Sequence, residues 1–471
     1  MSESDLEASE ADAPAAETRL DEDDRLRPEY VSEVIARLEA GDAEGVRALV
    51  EPLHPADIAD LFELVDSDRR RALATALADL LDGDVLAEMN EWVREELIEE
   101  LEPHEVAEIA GELETDDAVA LIEDMEEEEQ RAVLRALDPD DRAAIEEALS
   151  YPEDSAGRLM RRDAVAVPEH WTVGHVIDFL RAGDELTTDF WEVFVVDPAH
   201  RPVGTCLLSW ILRTPRRIAV ADVMQREQTL IPVDMDQEEV ALRFQKYALI
   251  SAAVVDQAGR LVGMITADDV VHIIQEEASE DTLLLSGAGT EGDINEPVRD
   301  SYKARVRWLA ANLVTALVGS SIIALFGAAI HEMVALAVLM PIVASIGGNA
   351  GTQTMAVAVR ALAMNQLTKS NTWRTIRREI MVALLNGLTI AILIGVGATL
   401  VFSNWALGGV IAAAMLINIL IAGLSGVLVP VTLERMGQDP AVSSSVFVTM
   451  ITDSMGFLAF LGLAVASGLV G

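Results

Sequence analysis

The chain has 471 residues, 51% of them hydrophobic, and its 80 acidic against 34 basic side chains give a formal net charge of -46. Phosphate binding needs a basic face, so this charge excludes nucleic acid as a partner and suits cations instead. Cys206 is the only cysteine, which excludes a disulfide within the chain.

Charge and hydrophobicity are segregated. From Ser301 onward there are only five acids: Glu332, Glu379, Glu434, Asp439 and Asp453. The acid lies upstream, in what reads as a water-exposed part, and the apolar residues lie downstream. Lys246, Lys303 and Lys369 are the only lysines. An acid-rich, lysine-poor surface points to a halophilic source, where salt screens charge repulsion. The alternative is an ordinary acidic regulatory domain.

In chain order, residues 1–27 read as a disordered acidic tail. No apolar run of a signal peptide opens the chain, so the upstream domains are expected to be cytoplasmic. Residues 28–150 read as a helical N domain, with apolar residues at three- and four-residue spacing. Pro52, Pro55, Pro103 and Pro139 mark expected helix starts. The phrases LHPADIADLFELV (53–65), LEPHEVAEIAGEL (101–113) and LETDDAVALIEDM (113–125) form a weak internal repeat, consistent with a small superhelix. The EEEE run at 126–129 reads as a solvated face.

After Tyr151 one order of elements occurs twice, within 151–222 and 223–275. A short extended segment (AVAVPEH; QTLIPVD) leads to a helix, a buried strand (VFVVD; AAVVD), a turn, and a strand running into a helix (TCLLSWIL; MITADDVVHII). This tandem βαββα pattern resembles a pair of cystathionine β-synthase (CBS) domains, ligand-sensing modules of α/β class. A bare dimerisation spacer is the alternative. A connecting helix and a polar stretch are expected over 276–304.

Residues 305–471 read as five transmembrane helices, near 308–330, 333–358, 380–402, 405–431 and 445–470, each long enough for about 30 Å of hydrocarbon. Lys303, Arg305 and Arg307 precede the first span. Arg360, Lys369, Arg374, Arg377 and Arg378 lie between the second and third, and Arg435 between the fourth and fifth. The positive-inside rule then puts the N-terminus inside and the C-terminus outside.

The second span carries PIVASIGGNAGTQT (341–354). Pro341 is expected to break or kink it. The glycines Gly347, Gly348 and Gly351 and the polar Asn349, Thr352, Gln353 and Thr354 read as a pathway lining, with a helix-packing seam as the alternative. Asp453 stands inside the fifth span, where a carboxylate costs roughly 2.5–3.5 kcal/mol. One carboxylate per subunit suits a hydrated divalent cation shared by two copies, since Mg²⁺ keeps several waters and needs one or two carboxylates.

The phrases YPEDSAGRLM (151–160), DQEEV (236–240), TADDVVHIIQEEASED (266–281), RVRWLAANLVTALVGSSI (305–322), GGNAGTQ (347–353) and GQDPAVSS…TDSMGF (437–457) resemble the MgtE family of magnesium channels and transporters. The resemblance covers nearly the whole chain after the acidic tail. It implies a multidomain α-helical membrane protein with a helical N domain, a CBS pair, a connecting plug helix and a five-helix pore domain. It also implies a homodimer in the lipid bilayer with its pore between subunits. Asp453 would be the pore carboxylate binding hydrated Mg²⁺, with Asn349, Gly348, Thr449 and Thr452 lining the pore.

The resemblance further implies that cytosolic Mg²⁺ shuts the pore by bridging acids. These would be Asp84 and Asp116 in the N domain, Asp236, Glu238 and Asp269 in the second CBS unit, Glu277, Glu280 and Asp281 on the plug, and Asp439 at the membrane-domain loop. The chain departs from the family at Ala120, Ala248 and His272, where acids can stand. ATP is a candidate ligand of the CBS pair. The function expected is gated Mg²⁺ uptake, not catalysis. The competing readings are a CBS-regulated carrier of another divalent cation or a proton-coupled substrate, and an intramembrane aspartyl protease. The carrier would show more than one intramembrane titratable group. The protease would need two carboxylates sharing a proton.

Overall fold

The computed structural model describes residues 19–99, 101–123, 125–182, 190–289, 292–368 and 370–470. It divides into two compact units, Met1–Ile274 and Gln275–Gly471. Residues 1–18 of the expected tail, and Lys369 of the expected basic loop, lie outside the described residues. Residues 19–27, expected to be disordered, are folded. Leu20 and Leu26 form an antiparallel bridge, Arg27 Nε donates to the Leu20 carbonyl at 2.7 Å, and Leu26 is buried in the helical domain's core. Two leucines six residues apart supply the apolar anchor that the acid count obscures.

The helical domain runs from Pro28 to Ala148 as short helices of 5–12 residues. Pro28, Pro55, Pro103 and Pro139 occupy the first turn, where a missing N–H costs nothing. Pro52 does not start a helix. It lies in the turn before His54, whose ring caps the helix Pro55–Leu64. Asp42, Asp66, Asp82 and Asn90 cap other helices through their side chains. Each helix hides one apolar face, as with Ile58, Leu61 and Phe62, or Ala118, Val119, Leu121 and Ile122. Burying a side chain of that size contributes about 2 kcal/mol. Glu126–Glu129 are exposed, as expected.

The CBS pair contains two three-stranded sheets. In the first, β1 (Ala166–Pro168) is parallel to β2 (Glu192–Val196), which is antiparallel to β3 (Pro202–Leu207). In the second, β4 (Leu230–Pro232), β5 (Ser251–Val255) and β6 (Leu261–Thr266) repeat that order. Phe194 and Val196 of β2 pack with Ala253, Leu261 and Met264, joining the sheets.

The segment YPEDSAGRLM belongs to the second CBS unit rather than the first. Ala156 and Met160 are fully buried in that unit's core, Ala156 N–H donates to the Met235 carbonyl at 2.7 Å, and Arg161 forms a bridge with Met264 of β6. The repeat is swapped, because Gln225, after the first unit, pairs back to Thr205 of β3.

The connecting helix is not separate from the second CBS unit. It starts at Ala267, directly after β6, and ends at Ser286. Gly287, at φ 72°, lets Ala288 N–H turn back to the Leu283 carbonyl at 2.9 Å. The first span then begins at Val298, ten residues earlier than expected, because Lys303, Arg305 and Arg307 ride on the same helix.

Five helices are long and apolar enough to cross a membrane: Val298–Leu325, Val334–Ala363, Thr372–Phe402, Trp405–Arg435 and Ser445–Ala466. The short helix Gly327–Glu332 fills the first turn between spans. The second span passes through Pro341 without interruption, so of the expected break or kink the break does not occur. A helix satisfies its own backbone groups, which hydrocarbon cannot do, so the continuous form wins at this depth.

Candidate ion site and acidic junctions

The glycines of the second span divide by face. A Cβ on Gly347 would collide with the Asn418 side-chain amide of the fourth span. One on Gly351 would stand 2.6 Å from Val448 Cγ1 and 3.3 Å from Thr452 Cγ2 of the fifth span. Asn418 is fully buried and donates from Nδ2 to the Val343 carbonyl at 3.0 Å, and a Cβ on Gly456 of the fifth span would lie 2.7 Å from the same Nδ2. Gly347 and Gly351, one turn apart, are therefore a seam where three helices cross, as the packing alternative predicted.

Gly348 faces the other way, with nothing within 4 Å of a Cβ, and Asn349 is exposed. One helix carries both a packing face and an open face. Asn418 escaped the sequence reading. Its signal was a lone amide within a 31-residue apolar helix.

Asp453 is half-buried on the fifth span, one residue beyond the fully buried Thr452 and four beyond the half-buried Thr449. Thr452 Oγ1 donates to the Thr449 carbonyl at 3.0 Å. The Gly351–Thr452 contact places Asp453 within about one helical turn of the level of Gly348 and Asn349. Among the described residues, no basic side chain and no hydrogen-bond donor approaches the Asp453 carboxylate.

The end of the connecting helix packs on the second and fifth spans. Leu284 lies in one buried cluster with Met355 and Val359 of the second span and Ala441 and Val448 of the fifth-span helix. This brings together two of the expected sensor acids. Burial raises the Asp281 pKa above the usual carboxylate range, and the nearby Asp439 raises it further. Asp439 caps the helix Pro440–Ala466 by accepting Ala441 N–H at 2.7 Å. Glu277 and Glu280, one turn back, are half-buried on the same helix.

In the other unit, Asp84 is exposed in the first turn of the helix Gly83–Ala87. Asp236 is exposed and caps the helix Gln237–Tyr247 through Glu238 N–H at 2.9 Å, and Glu238 is half-buried. Asp236 also faces Asp154, whose carboxyl is raised by burial and then by Asp236. Asp154 is an acid the sequence reading missed.

Asp116 and Asp269 are brought together, but Arg161 lies between them. Its Nε donates to Asp116 at 3.3 Å, and its other nitrogens meet Glu114, Asp268 (2.9 Å) and Asp269. Asp269 also accepts from the Thr266 hydroxyl at 2.6 Å and the Thr266 N–H at 3.0 Å. Glu114, Asp116 and Asp117 each bring a carboxylate oxygen to within 4.8 Å of one another. Burial, with Asp269 and Asp117 nearby, holds the Asp116 carboxyl well above its usual range. Burial alone would lower the Arg161 pKa, yet Asp116, Asp269 and Glu114 hold it above its ordinary value. Arg161, Glu114, Asp117 and Asp268 were not singled out from sequence. An arginine in the phrase AGRLMRR gives no sign of its partners until the chain is folded.

Residues 340–463 match the MgtE family model, described as a divalent cation transporter; residues 53–154 match the MgtE intracellular N domain, and 220–276 a CBS domain. The magnesium transporter MgtE of Thermus thermophilus is 32% identical over 436 residues, covering 91% of this chain and 96% of that protein. The chain belongs to the MgtE family. The magnesium transporter MgtE of Bacillus subtilis is 28% identical over 439 residues, covering 93% and 97%. A crystal structure of the cytosolic domain of the Mg²⁺ channel MgtE in complex with ATP is 32% identical, with a TM-score of 0.47. It covers 52% of this chain and 99% of that one. The MgtE match spans the seam, the open face and Asp453 together.

Proposed function

We propose that this MgtE-family membrane transporter carries Mg²⁺ through a pore formed by two copies, and that cytosolic Mg²⁺ closes it. The observation that carries this reading is Asp453, a half-buried carboxylate without a counter-charge, near the level of the open face formed by Gly348 and Asn349. A second copy across that face would supply a second carboxylate. Two carboxylates and retained water are what Mg²⁺ requires. Asn349 and Thr449 offer carbonyl and hydroxyl groups to that water, whereas Thr452, expected to line the pore, is fully buried in the seam against Gly351 with its hydroxyl on the Thr449 carbonyl. The first span supports the same reading, since only 6% of its apolar window is buried and it meets the fifth span at Gly319 and Phe457. Its bare face is available to lipid or to the second copy.

In this reading the soluble domains and the N-terminus are cytoplasmic and the C-terminus is outside. Asp281 and Asp439 form the plug junction of the switch, with Glu277 and Glu280 on the same helix and Asp84, Asp236 and Glu238 on the cytoplasmic domains. Without metal, neighbouring carboxylates repel; a divalent ion between them removes the repulsion and favours the closed state. The open-face pathway is favoured over a proton-coupled carrier because no titratable group pairs with Asp453 among the described residues, and Glu379, the buried acid near the start of the third span, is held by Arg378. ATP is proposed as a second ligand of the CBS pair on the resemblance alone.

The test is Mg²⁺ flux into proteoliposomes, with Mg²⁺ on the cytoplasmic side set low and then high. The expected result is flux at low Mg²⁺ that shuts off at high Mg²⁺. Flux indifferent to Mg²⁺ on that side would remove the sensor from the proposal. Transport driven only by a proton gradient would replace the channel with a carrier.

A further inference from the structure

The junction between the helical domain and the second CBS unit holds an arrangement that the proposed Mg²⁺ switch does not explain. Asp116 opens the helix Thr115–Ile122, Asp269 opens the helix after β6, and a bridging divalent ion would have to stand between their carboxylates. Asp116 Oδ1 is buried without a hydrogen-bond partner and forms a carboxylate trio with Glu114 and Asp117, but the gap between Asp116 and Asp269 does not fit such an ion. The Arg161 guanidinium already sits there, contacting Glu114, Asp116, Asp268 and Asp269. Mg²⁺ needs oxygens on its coordination sphere and keeps most of its waters, so it cannot share this space with a planar cation. A guanidinium matches several carboxylates at once through its fixed fork of donors.

Arg161 is also held by its backbone. Its N–H donates to the Met264 carbonyl and its carbonyl accepts from Met264 N–H, both at 2.8 Å, so it is tied to the edge of β6. Gly263 allows that approach, because a Cβ there would lie 2.6 Å from the Arg161 carbonyl oxygen. Placed by the strand, the side chain reaches across to the helical domain. The internal repeat supplies a control. In the first CBS unit, the residue bridged to the strand in the same way is Gln225, and the counterpart of Asp269, three residues past the strand's end, is Trp210. The charged clamp is therefore not a general consequence of the CBS fold.

We propose that Arg161 takes the place of a divalent cation at this junction, holding the helical domain on the second CBS unit whether or not Mg²⁺ is bound. The Mg²⁺-dependent part of the switch then lies at the other acids, Asp281 and Asp439 among them. This inference rests on the reading that Mg²⁺ closes the transporter through its acidic residues.

The test is hydrogen–deuterium exchange of the full-length protein in lipid nanodiscs, with excess EDTA and with saturating Mg²⁺, for wild type, Arg161→Gln and Arg161→Lys. In wild type, peptides covering 114–122 and 158–161 are expected to be equally protected in both conditions, while those covering 277–286 and 439–448 gain protection with Mg²⁺. In Arg161→Gln, the junction peptides lose protection in EDTA; Arg161→Lys, which keeps the charge and loses the fork, loses less. If the wild-type junction loosens in EDTA together with the plug, the inference is overturned and the Mg²⁺ sensor stands. If no peptide responds to Mg²⁺, the sensor reading fails and Arg161→Gln decides alone: a loosened junction supports the clamp, an unchanged one overturns it.

Discussion

Acids kept partly from water are handled differently in the two units. In the unit of helical and CBS domains the most enclosed come with an arginine: Arg161 among four carboxylates and Arg70 on Glu96. In the membrane unit Glu379 is paired with Arg378, but the half-buried Asp281 and Asp453, and Asp439 beside Asp281, face no basic side chain among the described residues. A fixed counter-charge makes a fixed joint, since breaking a buried pair leaves an uncompensated charge. An acid left without one is a place that a mobile cation can occupy and leave. The difference separates scaffold from working parts.

The largest expected effect is at Asp453. Asp453→Asn keeps the size and removes the charge, and Mg²⁺ flux in proteoliposomes should fall to the level of protein-free vesicles while the protein remains folded. Next is the seam. Gly351→Val inserts carbon against Val448 and Thr452, and overpacking of this kind costs about 1–3 kcal/mol. Thermal unfolding in detergent should drop for Gly351→Val and stay unchanged for Gly348→Ala on the open face. Equal losses at both positions would mean that both faces are packed.

A smaller effect is expected at the plug. Asp281→Asn or Asp439→Asn removes one of two repelling carboxylates, and the cytoplasmic Mg²⁺ needed to close the pore should change by on the order of fivefold. The check is flux titrated with Mg²⁺ on that side, where an unchanged midpoint would remove the pair from the switch. The smallest effect is at Cys206. Burial, and secondarily Glu192, pushes its thiol up to about 11, so maleimide should leave it unlabelled at neutral pH until denaturant is added.

Much of this was legible in the sequence because it is periodic. The two βαββα units, five spans and proline-led helices each repeat a local rule over many residues. What escaped was set by contacts distant in the chain. Pro341 read as a break or a kink, and the surrounding hydrocarbon rules out the break by favouring continued helix. YPEDSAGRLM looked like the start of the first CBS unit, but its buried Ala156 and Met160 fit the second. Gly347 and Gly348 are adjacent and alike, yet one meets Asn418 and the other meets nothing, a distinction that only the fourth span creates. Among the acids, sequence could nominate Asp116 and Asp269 but could not show that Arg161 stands between them.

The measurement that bears most directly on this contrast is the location of Mn²⁺, used as a heavier stand-in for Mg²⁺, by anomalous scattering from crystals of the full-length protein. The account predicts density at Asp453 and between Asp281 and Asp439, and none between Asp116 and Asp269. A peak between Asp116 and Asp269, or none at Asp453, would contradict it.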